Sequence, residues 1–174
     1  MNFKGWFLSG VPPYSKHWRN HTTLVIVDME PAFCMCADTI AAVIEEIKYA
    51  KTHNYPVVVV EFSVKGGTHK EIMDALNNFK VRYSVVLKHT VSGAREVIDA
   101  CLIGNFPTLE FRVCGAYTHA CVEETAKGIC SIVPDATVSM IEEACYCPYG
   151  NDWSSLETLT FPNLRSLSQA KNVA

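Results

Sequence analysis

The sequence predicts an α/β fold, a three-layer α/β/α sandwich built on a doubly wound, mainly parallel sheet. Three observations predict it. Short apolar runs alternate with segments of helical spacing, the pattern of repeated βαβ units. Runs such as LVIVD and PVVVVEF are apolar at consecutive positions, so each strand is buried on both faces. The length of 174 residues and the 49% hydrophobic content suffice for one domain with a core, and right-handed crossovers then wind the sheet both ways.

Residues 1–20 are rich in aromatics, Gly and Pro, and predict an irregular arm; residues 21–174 predict a single domain. Leu24–Asp28 is the first strand. Asp38 caps a helix with Ile40, Val43, Ile44 and Ile47 at helical spacing. Pro56–Phe62 is the second strand, followed by a Gly-Gly turn and a helix over about 68 to 79. Ser84–Lys88 is the third strand. Ser92 then caps a helix carrying Ala94, Val97, Ile98, Cys101 and Leu102, which Gly104 stops. Thr108–Cys114 is the fourth strand, and Val122, Thr125, Ala126 and Ile129 share one face of the next helix. Ala136–Glu142 is the fifth strand, and Ser154 to Leu159 begin a last helix.

Bulk properties narrow the function. The net charge of -3 and the lack of any Lys/Arg cluster exclude a nucleic-acid partner. No run reaches the ~18 apolar residues of a membrane span, and the N-terminal apolar run is too short for a signal peptide. A cytoplasmic location is expected, with the 8 cysteines as reduced thiols.

In doubly wound sheets ligands bind outside the carboxyl ends of the strands. Asp28 ends the first strand, Lys88 ends the third, and Cys121 follows the fourth within VCGAYTHACVEETAKG. Thr118 fits as an N-cap, which places Cys121 in the first turn, where free N–H groups and the helix dipole favour a thiolate. A nearby lysine would lower the thiol pKa further. A carboxylate could take the thiol proton and return it to a leaving amine. The three together suit acyl transfer through a thioester.

Three segments, TLVIVDMEPAF, VVLKHTVSGA and VCGAYTHACVEETAKG, resemble the isochorismatase-like cysteine hydrolases over about residues 22 to 150. That superfamily includes nicotinamidases, N-carbamoylsarcosine and ureidoacrylate-type amidohydrolases, and isochorismatases. The resemblance implies that Asp28 is the general acid/base, Lys88 the group that holds the thiolate and orients Asp28, and Cys121 the nucleophile. It implies a non-proline cis peptide between Ala116 and Tyr117, with the Tyr117 and Cys121 N–H groups as an oxyanion hole. It implies a small-molecule substrate, no cofactor and a homo-oligomer. Three departures qualify it. The Asp-x-His metal motif of nicotinamidases is missing after the second strand, although Glu61 and His69 are present. Gly93 and Ala94 follow Ser92, where Ala-Phe is usual. Glu30 stands where many members carry Gln, and its charge is expected to disfavour anionic substrates.

The expected activity is hydrolysis of a small amide or ureido-type C–N bond. The alternatives are a vinyl-ether hydrolase needing Asp28 but not Cys121, and a silent binding or assembly subunit. Phe33, Glu30, Ser92, His119, Tyr146 and Trp153 are candidate pocket walls, along with Tyr117. Cys34, Cys36, Cys145 and Cys147 form two Cys-x-Cys pairs; a soft-metal site is the alternative to a packing or redox role.

Overall fold

The computed structural model describes residues 21–156 and 158–168. The arm expected at residues 1–20 lies outside the described residues. Six parallel strands form one sheet in the order β3-β2-β1-β4-β5-β6. The strands are β1 (Thr22–Val27), β2 (Val57–Phe62), β3 (Tyr83–Lys88), β4 (Glu110–Ala116), β5 (Thr137–Tyr146) and β6 (Leu164–Leu167). The helices are α1 (Ala37–His53), α2 (Lys70–Asn78), α3 (Ala94–Gly104) and α4 (Glu123–Ile132). Helices α1 and α2 pack together, as do α3 and α4; α1 and α4 both rest on β5, from opposite faces.

Consecutive apolar residues do what the pattern predicts. Leu24, Val25, Ile26 and Val27 are fully buried, and so are Val57, Val58, Val59 and Val60. The edge strand β3 departs from it, because Val85 and Leu87 remain exposed on its uncovered face. A bidentate ion pair ties α1 to the sheet: Arg112 Nε and Nη2 donate to Glu46 at 2.7 and 2.8 Å, under the Tyr49 ring.

Several expected boundaries change. The α1 helix begins at Ala37, with Cys36 rather than Asp38 at its cap position. The α3 cap position is Gly93, although Ser92 Oγ does accept from the Ala94 N–H. Strand β5 runs past Glu142 to Tyr146, so Cys145 lies inside a strand. Its pairing with β4 shifts between Val113 and Gly115, and this irregularity hides the continuation from a pattern search. Among the described residues the expected last helix is replaced by one 3₁₀ turn, Trp153–Ser155, and β6 then forms on β5.

Strand order fixes where a ligand belongs. The chain starts in the middle at β1, builds outward to β3, then returns to β4 on the other side. The switch point is the crevice beyond the carboxyl ends of β1 and β4. There Gly115 has φ +128, and an added Cβ would stand 1.9 Å from the Val27 carbonyl oxygen. Only glycine lets β4 approach β1 this closely. Gly115→Ala should lose at least about 2 kcal/mol of stability, read as the shift in a urea midpoint.

Candidate active site

Asp28 is the first residue beyond β1. Its N–H donates to the Val60 carbonyl at 2.9 Å, and its φ is 50. A left-handed aspartate is uncommon and clusters at functional turns. The turn places the carboxylate at 0% exposure, facing Lys88 and Cys121.

Lys88 is the last residue of β3, two strands away, and is itself fully buried. Its Nζ lies 2.8 Å from Asp28 Oδ2. The contact is an ion pair and not a well-directed hydrogen bond, because neither Asp28 oxygen has a conventional hydrogen-bond partner. Nζ also donates to the Thr90 and Val91 carbonyls at 3.1 and 3.0 Å and sits 4.8 Å from the centre of the Phe62 ring. The stem passes beside Gly93, where a Cβ would fall 3.1 Å from Lys88 Cδ and 2.7 Å from Val60 Cγ1. The Gly93 N–H is held by Thr125 Oγ1 at 3.0 Å. Gly93 thus packs closely against Val60 and the lysine stem.

Cys121 lies beyond β4. The Ala116–Tyr117 peptide before it is cis. Residues Thr118–Val122 form a wide π-type turn, kinked at His119, before α4 starts. Thr118 is not the expected N-cap: its hydroxyl donates to Asn151 Oδ1 at 2.6 Å, and Asn151 Nδ2 donates to the Cys145 carbonyl at 3.0 Å. The turn that carries Cys121 is therefore pinned to the loop after β5.

The electrostatics correct one expectation. The surroundings of Cys121 do not lower its thiol as expected. Burial pushes its pKa up, the facing Asp28 adds to this, and Lys88 only partly opposes them. Burial likewise raises Asp28, against the pull of Lys88 and Cys121. A thiol and a carboxyl group, both raised, thus face each other, an arrangement that can exchange a proton. The thiol that is lowered is Cys36, through hydrogen bonds from Thr39.

Glu30 is fully buried. Its Oε1 accepts from the Phe62 N–H at 2.6 Å, while Oε2 has no partner among the described residues. Burial, then the negative charges of Asp28 and Glu61, push its pKa up to about 7 against the Phe62 N–H. Its expected permanent charge is thus a conditional one.

The aromatic wall is partly as expected. Phe33 meets Tyr117 edge-on at 5.9 Å, and Tyr117 lies 6.1 Å from Tyr146. Phe62, which the sequence reading passed over as a strand residue, meets Phe33 at 6.0 Å and carries the Lys88 contact. Its one signal was its place at the carboxyl end of β2. Asn151 had no signal. The Ser92 hydroxyl donates to the Glu124 carbonyl at 3.0 Å, tying the start of α3 to α4. His119 is tied to Glu123 at 3.3 Å and accepts from the Asp152 N–H at 3.0 Å, with Trp153 beside it. Of the two Cys-x-Cys pairs, Cys145 is buried within β5, and no three potential metal ligands converge among the described residues.

Comparisons agree with this architecture. A nicotinamidase from Staphylococcus aureus superposes with TM-score 0.69 at 11% identity, covering 84% of this chain and 99% of that one. An isochorismatase from Pseudomonas putida gives 0.61 at 12% identity, covering 87% and 89%. The Escherichia coli YcaC protein, described as an octameric hydrolase of unknown specificity, gives 0.65 at 15% identity, covering 90% and 79%. At these identities the likeness is one of fold. A search of curated proteins finds no significant match. The isochorismatase domain, in contrast, matches the sequence itself across residues 22–154, from the first strand through the loop that pins the Cys121 turn. The chain belongs to the isochorismatase domain family.

Proposed function

We propose that this protein is a cysteine hydrolase that cleaves a small-molecule amide or ureido-type C–N bond through a thioester. The observation that carries the reading is the meeting of Asp28, Lys88 and Cys121, from three separate strand ends, with the two charged groups buried and the thiol half-buried. The family and the nicotinamidase among the similar structures support it.

The chemistry follows from the proton that Asp28 and Cys121 can exchange. Asp28 takes the Cys121 proton as Sγ bonds to the substrate carbonyl carbon. The oxyanion that forms accepts from the Tyr117 and Cys121 N–H groups, each such donor being worth roughly 3–4 kcal/mol in comparable sites. Asp28 gives the proton to the leaving nitrogen, the C–N bond breaks, and a thioester remains. Asp28 then takes a proton from water, hydroxide adds to the thioester carbon, and the thiolate leaves and recovers the proton. Lys88 keeps the carboxylate in place through both halves. Phe33, Phe62, Tyr117 and Tyr146 form an apolar wall for a small planar substrate.

Two further readings go with this one. The working form is a homo-oligomer, in line with the octameric fold relative. The location is the cytoplasm, in line with all 8 cysteines being free thiols.

The test is ammonia release from a panel of small primary amides and N-carbamoyl compounds. Cys121→Ala and Asp28→Asn should each lower the rate on a responsive substrate about a thousandfold or more. Intact mass of the wild type under turnover should show an acyl adduct on Cys121. Cleavage of a vinyl ether that survives Cys121→Ala but not Asp28→Asn would replace the thioester reading.

A further inference from the structure

We propose that Glu30 is a specificity-determining residue of this site: its unpartnered Oε2 hydrogen-bonds an acceptor on an uncharged carboxamide or ureido substrate, and repels a carboxylate analogue once the proton is lost. The inference rests on the reading of Cys121 as the nucleophile.

The argument starts from an unfilled bond. Glu30 lies two residues after Asp28, at 0% exposure. Its backbone is fixed, since its carbonyl accepts from the Phe33 and Cys34 N–H groups at 2.9 and 3.1 Å. Oε1 is taken by the Phe62 N–H, and Oε2 is buried without a partner among the described residues. Buried polar atoms are rarely left so, and those that are call for a water or a ligand. Asp28 Oδ1 and Oδ2 also lack conventional hydrogen bonds. Lys88 Nζ, 2.8 Å away, serves Asp28 Oδ2, so the open positions beside the proposed reaction centre are Glu30 Oε2 and Asp28 Oδ1.

The charges around Glu30 set its form. Asp28 follows β1 and Glu61 lies in β2; both disfavour a second carboxylate. Lys88, at the end of β3, is already engaged by Asp28, Thr90 and Val91. His69, before α2, is bonded to the Cys34 carbonyl, and the Cys121 thiol beyond β4 faces Asp28. No cation among these is aimed at Glu30. With burial, this holds its pKa at about 7. Below that pH the group is an O–H donor; above it the site gains a negative charge. A pocket built around a hydrogen bond discriminates strongly against analogues that cannot make it.

Alkylation of Cys121 by iodoacetamide and by iodoacetate compares a neutral and an anionic probe of nearly equal size. The rates are read by peptide mass, so the other thiols, Cys36 included, do not contribute. Glu30→Gln keeps an acceptor for the Phe62 N–H and a donor on Nε2, and stays neutral at every pH. In the wild type the amide-to-carboxylate rate ratio should rise roughly tenfold as pH crosses about 7, by the repulsion of one added charge. In Glu30→Gln it should stay flat. An equal rise in both proteins would overturn the proposal and leave the nucleophile reading intact. Failure of Cys121 to react with either probe would overturn both.

A second measurement follows the proton without Cys121. Glu30 is raised from 4.5 to about 7, so the folded chain holds a proton that the unfolded chain releases. Its contribution to stability is complete below the unfolded value and is lost as pH rises through about 7. The wild-type urea midpoint should therefore fall across that window more steeply than that of Glu30→Gln. Equal slopes would show that Glu30 carries no such proton and would overturn the proposal.

Discussion

The buried ion pair between Lys88 Nζ and Asp28 Oδ2 is the interaction on which the rest of the site depends. Two charges at 0% exposure are stable only when each is compensated. Lys88 is compensated by the carboxylate, two backbone carbonyls and the Phe62 ring. Asp28 has Lys88 and the Cys121 thiol, and it retains a raised pKa despite them. That imbalance gives the site its character. A fully satisfied carboxylate would be too weak a base to deprotonate a thiol. An unpaired one would be protonated and idle.

Topology brings the pair to the thiol. Asp28 and the Cys121 turn follow adjacent strands at the point where the sheet reverses direction, while Lys88 reaches in from the edge strand. Close approach of β4 to β1 depends on Gly115, and the path of the lysine stem depends on Gly93. The loop after β5 completes the arrangement through Asn151, which holds Thr118. The chemistry sits on rigid elements, with each reactive side chain anchored by contacts to its neighbours in the fold.

Much of this was legible in the sequence. Unbroken apolar runs gave the strands, and the acid or base ending each run gave Asp28 and Lys88. The motif GAYTHAC marked the turn that carries Cys121. What escaped notice depended on distant pairing. Strand β5 continues beyond its apolar core through an irregular register, and β6 is too short to carry a pattern. Thr118 and Ser92 look like caps because their residue types favour caps, but tertiary partners claim both hydroxyls. The direction of the thiol pKa likewise depends on tertiary surroundings. A lysine and a helix start argue for a thiolate, but burial and the intervening carboxylate outweigh them. Glu30 was visible as a charge, while its pKa required the surroundings.

The most direct test of the ion pair as the organising interaction is a double-mutant cycle on stability at neutral pH, using Asp28→Asn, Lys88→Met and the double variant. Each single change leaves a buried group uncompensated, and should cost about 3–5 kcal/mol in urea unfolding. The double variant should lose less than either single one, giving a coupling of several kcal/mol. Losses that simply add would contradict the account, because they would mean that the two charges do not hold each other in place.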